Sequence, residues 1–224
     1  MRKIFLLYAA IGTAVPSCGI AIAATPPTND QAAAAAPVPS PAEPHYKPPM
    51  RGAPGGRQGG GSRGVKGPDL SIAVLAPDHV GLTSTDQPTL YWFASRPVDR
   101  PVEFAITADN VEKPLVDIKL PTPAPAGINA VRLSQLGAHL TAGTPYQWSV
   151  SVVRDANSRS ADLVASGYVE FDATKQKTKE TAVAAEMGLW YDAIDLASQQ
   201  GGPDRAFLLD QVGLLAPAAH ERGK

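Results

Sequence analysis

Apolar and polar side chains alternate in short rows through the middle of this chain. The clearest row runs from Tyr146 to Val152: Tyr146, Trp148, Val150 and Val152 share one face, and Gln147, Ser149 and Ser151 share the other. Successive side chains leave a strand on opposite sides, so a period of two predicts a half-buried strand. Further rows are Leu70/Ile72/Val74, the aromatic run Thr89–Phe93, Val102/Phe104/Ile106, Val116/Ile118/Leu120, Asn129/Val131/Leu133, and Leu163–Phe171. Turn residues separate them, as at Ala76-Pro77-Asp78, Asp109-Asn110, Pro121–Pro125 and Asp155–Ser160. Seven such strands in about 100 residues predict a mainly β domain over residues 69–172, an Ig/fibronectin-III-like β-sandwich. Leu140, six residues before Tyr146 across a turn containing Gly143, is similar to the tyrosine corner of such sandwiches. A domain of this size buries roughly two thirds of its unfolded surface, enough for a core without disulfides.

After Asp172 the period becomes helical. Val183, Met187, Trp190, Ile194 and Ala197 follow at spacings of four, three, four and three, which is one face of a helix. Gly201-Gly202 ends it, and Pro203 with Asp204 suits the start of another, running from Phe207 to Leu215. The expectation is an antiparallel helical hairpin over 173–216, followed by a disordered tail at 217–224. Two helices alone cannot bury both faces, so the pair is expected to dock on the sandwich or on another protein.

The first third differs in texture. Arg2 and Lys3 precede an apolar run ending in Ala21-Ile22-Ala23, the pattern of a signal peptide over residues 1–23 with cleavage near Ala23. The run is short for a membrane span, so no transmembrane segment is expected in the mature chain. Val15-Pro16-Ser17-Cys18 also offers a degenerate lipoprotein box, against which Ile20 and Ile22 continue the apolar segment past the cysteine. Cys18 is the only cysteine, so cleavage at Ala23 leaves a mature chain without thiols, suited to a periplasmic or secreted location. Residues 24–44, rich in Ala and Pro, read as a disordered linker. Residues 45–68 are a Gly/Pro-rich arm in which Lys47, Arg51, Arg57, Arg63 and Lys66 face no acidic residue. That composition reads as a solvated arm or as one that contacts an anionic surface or an acidic groove.

Net charge is −1, and loss of Arg2 and Lys3 leaves 18 basic against 21 acidic side chains, so no nucleic-acid footprint is present overall. Gly59, Gly61 and Gly64 fit the dinucleotide spacing, but no strand is predicted before them and no helix after, so no cofactor is expected there. His45, His79, His139 and His220 are too scattered for a zinc motif, and no Gly-x-Ser-x-Gly elbow occurs. Glu103 sits on the polar face of its strand. Trp92 and Trp148 read as core, and Trp190 as the residue that pins helices to sandwich. Tyr191 and Asp192 fall at the rim of that helix, with Asp192 off the apolar stripe and facing solvent. Arg159 and Asp162, in the loop after the Tyr146 strand, read either as a recognition pair or as an ion pair across the hairpin.

Several short motifs in order resemble a family of exported bacterial proteins catalogued as domain of unknown function 928. They are Tyr46-Lys-Pro-Pro-Met-Arg-Gly-Ala-Pro54, Gly59-Gly-Gly-Ser-Arg-Gly64, Leu75-Ala-Pro77, Gly81-Leu-Thr83, Gln87-Pro-Thr-Leu-Tyr-Trp92, Val102-Glu-Phe104, Tyr146-Gln-Trp148, Arg159-Ser-Ala-Asp162 and Gly188-Leu-Trp-Tyr-Asp-Ala193. The resemblance covers Tyr46 to Leu214 and implies export, with no activity to carry over. It also implies that the segment from Tyr46 belongs to the domain. Family members hold a cysteine where this chain has Arg154, so no thiol or disulfide role transfers. The expected function is a non-catalytic interaction module of the bacterial envelope, binding another envelope protein or an anionic surface through Arg51, Arg57, Arg63, Lys66, Arg159 and Asp162. The alternative is a carbohydrate-binding protein or enzyme whose site lies between helices and sandwich, built on Trp190, Tyr191 and Asp192.

Overall fold

A computed structural model of the chain describes residues 43–49, 57, 60–61, 70–109 and 111–223. The signal segment, most of the linker, Arg51, Arg63 and Lys66 lie outside them.

Each alternating row forms a strand. One sheet has the order β1-β2-β4-β7, from β1 (Gly60–Gly61), β2 (Ser71–Val74), β4 (Thr89–Ala94) and β7 (Gly127–Arg132). The other has the order β3-β9-β8-β5-β6, from β3 (Val80–Thr83), β9 (Leu163–Phe171), β8 (Pro145–Val152), β5 (Val102–Ala108) and β6 (Val116–Leu120). All pairings are antiparallel except β3 with β9, which run parallel from Val80↔Tyr168 to Thr83↔Phe171. The fold is therefore mainly β. Strand β8 alternates between half-buried and buried positions along its whole length, as its sequence dictates. Its apolar face joins Phe104, Ile106, Ala165 and Val169 of its own sheet with Ile72, Val74, Leu90, Trp92 and Val131 of the other in one core. The hydroxyl of Tyr146 accepts a hydrogen bond from the Thr141 amide at 3.3 Å, reaching back to the backbone upstream.

Strand β3 carries no readable row. It is four residues long, and Gly81 replaces a side chain where the chain passes a ring: a Cβ there would lie 2.8 Å from Cε2 of Tyr191. The helical segment also differs from a hairpin. A short α1 (Leu133–Leu136) follows β7, and after the sandwich come α2 (Thr181–Glu186), α3 (Trp190–Gln200), α4 (Asp204–Gln211) and α5 (Leu215–Arg222). The stripe from Val183 to Ala197 is thus split between two helices. The break is at Gly188, whose φ of +75° is a left-handed conformation that favours glycine. Val183 is consequently 40% exposed, whereas Trp190, Ile194 and Ala197 are buried.

Residues 217–222 of the expected disordered tail belong instead to α5. Its inward positions are Pro217 and Ala218, too small to give a strong apolar period. Arg205 on α4 donates from Nε to Glu221 at 2.8 Å, and the His220 ring meets Phe93 edge-on at 5.5 Å, which ties α5 to both helix and sheet. The described residues from 43 to 223 belong to one compact unit.

Candidate functional site

The motif Gly188-Leu-Trp-Tyr-Asp-Ala193 lies where the helices meet the sandwich, and its side chains fasten the two. Trp190 is fully buried and its indole N–H donates to the Leu75 carbonyl at 2.8 Å. Tyr191, 1% exposed, accepts from the Trp148 indole N–H at 2.8 Å and donates to the Tyr168 carbonyl at 2.8 Å. One phenol thus pairs the buried Trp148 N–H and adds a bond to a carbonyl of β9. Burial pushes the Tyr191 hydroxyl far above its ordinary pKa. Asp192, expected at a solvated rim, is buried. Its carboxylate accepts from the Ser84 amide at 2.9 Å and from the Ser84 hydroxyl. The turn after β3 comes up on the side of α3 that the stripe leaves open, which is why helical periodicity alone misplaced this residue.

The start of the arm is fastened to the same place. Tyr46 packs edge-on against Trp190 with ring centroids 4.9 Å apart, and its hydroxyl shares a hydrogen bond with His79 Nε2 at 2.8 Å. Its amide donates to the Gln211 side chain, which in turn donates to the Pro44 carbonyl, both at 2.8 Å. The Lys47 amide bonds the Ala185 carbonyl at 3.1 Å, and a Cβ on Gly188 would lie 2.9 Å from the Lys47 carbonyl. Burial lowers the pKa of His79 and nearby Asp78 opposes that shift; burial raises that of Tyr46.

Arg57, expected to reach for a partner, instead donates to the Ala76 carbonyl at 2.9 Å and the Val212 carbonyl at 3.2 Å. It joins sandwich to helices. Burial depresses its pKa, with Asp78 acting against that. At the opposite end of the sandwich, Arg159 contacts Glu103 at 2.5 Å and Asp162 at 2.6 Å. Asp162 also accepts from the Arg154 amide at 3.1 Å. The hydrogen bonds to Glu103 and Asp162 raise the pKa of Arg159. The structure thus brings Trp190, Tyr191 and Asp192 together, and Arg159 with Asp162, and sets Arg57 on the Ala76 carbonyl, one residue from the carbonyl that Trp190 binds.

Beside the joint is a cleft of about 390 Å³. One wall is Thr83, Thr85 and Thr89 of the sandwich; the other is Asp192, Asp195, Leu196, Gln199 and Gln200 of α3, and Lys177 to Lys179 close the rim. Asp195 accepts from the Tyr91 hydroxyl and from Gln199, both at 2.7 Å. Burial, then the bond to Asp195, raises the pKa of Tyr91. The cleft wall was not expected from sequence, although positions 192, 195, 196 and 199 recur at helical spacing opposite the apolar stripe. Its lining of hydroxyl, amide, carboxylate and ammonium groups can donate and accept hydrogen bonds on both walls.

A family model described as Domain of Unknown Function (DUF928) matches residues 58–214, more than half of the chain. The chain belongs to this family. The match runs through both sheets, the joint and α4, so the structural unit and the family domain nearly coincide. No curated protein and no solved structure matches the chain. Among the described residues, no helix is long and apolar enough to cross a membrane.

Proposed function

We propose that this chain is an exported, non-catalytic binding module of the bacterial envelope, and that its binding face is the cleft between α3 and the β3–β4 turn. The observation that carries this reading is the pairing of an open cleft, in which hydrogen-bonding groups stand among apolar stems, with walls held by the Trp190, Tyr191 and Asp192 contacts. A binding surface whose walls are already ordered loses little conformational entropy on engagement. Export rests on the basic start at Arg2 and Lys3, the apolar run and Ala21-Ile22-Ala23. The sandwich is Ig/fibronectin-III-like in this reading: β2-β4-β7 faces β3-β9-β8-β5-β6, an order supported further by the Tyr146–Thr141 bond.

The favoured partner is a polar segment of another envelope protein. The cleft lining contains hydrogen-bonding groups but no aromatic ring, and Trp92, Trp148 and Trp190 are buried, so a stacking platform for a sugar ring is missing from it. A photo-crosslinking residue at exposed Gln199 tests this directly, with Asn157 at the far end of the sandwich as the control. An adduct to one envelope protein from position 199, weakened by Lys177→Glu and absent from position 157, supports the reading. Equal adducts from both positions contradict it.

A second reading, carbohydrate binding or hydrolysis in the same cleft, draws on Asp192 and Asp195 standing three residues apart on one helix and both lining it. A glycan array with Asp195→Asn as the comparison separates the two: saturable binding to one sugar class, lost in the variant, favours this second reading.

A further inference from the structure

Strand β6 is an edge. It pairs with β5 on one side, and among the described residues no strand pairs with its other side. Its sequence is Val116-Asp117-Ile118-Lys119-Leu120. Val116 is buried, Ile118 and Leu120 are half-buried, and Asp117 and Lys119 are exposed. An unpaired edge is a template for another strand, and edge charges ordinarily keep it unpaired. Here the two charges have opposite signs and stand two residues apart on one face.

We propose that β6 pairs with β6 of a second copy of this chain, antiparallel about a two-fold axis at Ile118. In that register the partner's Lys119 lies opposite Asp117, and the partner's Asp117 lies opposite Lys119. Both contacts are attractive, and they are one contact made twice, because a two-fold interface uses the same patch on both copies. A parallel, in-register pairing puts like charges opposite and is disfavoured. Within one chain, Lys119 already stands opposite Glu103, and Asp117 stands opposite Ala105. The dimer therefore sets Glu103, Lys119 and the partner's Asp117 in a row of alternating sign, and gives Asp117 a cation directly opposite. Pro114 and Pro121 lack an N–H and bracket the strand, which limits how far the pairing extends, and the opposite charges favour this register within it.

Strand β3 and the cleft lie at the other edge of the same sheet. The dimer leaves both clefts open, with the two β3 strands about 40 Å apart along a continuous sheet. A repeated partner could then be held at two points, with the gain in avidity that follows. The pairing of β6 does not depend on what the clefts bind.

Sedimentation equilibrium of the full chain, over a concentration series reaching the millimolar range, tests the inference. The parent dimerises at low ionic strength and less so in high salt. Asp117→Lys puts Lys opposite Lys, and Lys119→Asp puts Asp opposite Asp, so each variant dimerises at least about tenfold more weakly. An equimolar mixture of the two restores opposite charges at both contacts and regains a heterodimer of parental strength. The milder double variant Asp117→Asn with Lys119→Gln loses the salt dependence. A parent that stays monomeric, charge variants that dimerise like the parent, a mixture that stays monomeric, or salt dependence that persists in the double variant overturns the proposal.

Discussion

The two ends of the sandwich carry polar networks built from similar chemistry and placed in opposite surroundings. At one end Trp190, Tyr191 and Asp192 bond across the joint; at the other Arg159, its side chain 53% exposed, reaches from solvent to Glu103 and to an Asp162 whose own side chain is only 3% exposed. In the joint each donor has lost its water, so an unmade bond leaves a group stranded. In the loop, solvent reaches the guanidinium and Glu103, salt screens that pair, and the sunken Asp162 carboxylate keeps the Arg154 amide if the guanidinium leaves. Two family motifs, Gly188–Ala193 and Arg159–Asp162, are thus equally visible in sequence and very unequal in consequence.

Removing the largest pin tests the contrast hardest. Trp190→Ala empties a fully buried site, strands the Leu75 carbonyl and removes the ring under Tyr46, at a cost of about 3–5 kcal/mol measured by denaturant unfolding. Tyr191→Phe keeps the ring and deletes only the hydroxyl. It leaves the Trp148 N–H without its Tyr191 partner and takes one bond from the Tyr168 carbonyl, for about 1–3 kcal/mol. The same hydroxyl gives an alkaline signature. Its folded pKa is raised, so above the unfolded value of about 10 the unfolded chain holds fewer protons than the native one, and stability falls as pH rises.

A smaller effect is expected from His79 in acid. Its folded pKa is lowered by burial, so below the unfolded value of about 6.5 the unfolded chain binds the proton more readily. Stability is complete above that pH and declines as pH falls toward the folded value. His79→Gln should flatten this slope in unfolding curves taken between neutral and mildly acidic pH. Least of all, Arg159→Ala should cost less than Tyr191→Phe at physiological salt, because Asp162 keeps the Arg154 amide and water takes the place of the guanidinium on Glu103. A loss as large as that of Tyr191→Phe would erase the distinction between the two ends.

The sheets were legible because a half-buried strand writes its geometry as alternation, and β8 is the plainest case. Strand β3 was not, since four residues with Gly81 among them carry too little pattern. Helical periodicity located Trp190 and Ile194 correctly but ran through Gly188 as though α2 and α3 were one rod. It also assigned Asp192 to solvent, because the burying group, the turn at Ser84, is more than 100 residues away in the chain. Arg57 illustrates the same limit: a basic residue in a glycine-rich stretch looks solvated until the carbonyls of Ala76 and Val212 are placed beside it. The cleft needed both walls in space, and only the α3 wall leaves a trace in the spacing of 192, 195, 196 and 199.

Hydrogen exchange at the indole N–H groups of Trp148 and Trp190 reads the joint most directly. With sandwich and helices fastened as one cooperative unit, both protons exchange only through global unfolding, at the same free energy as the backbone amides of β8. Exchange of the Trp190 proton at a distinctly lower free energy, with β8 still protected, would mean that the helices lift off on their own and that the walls of the cleft are not fixed.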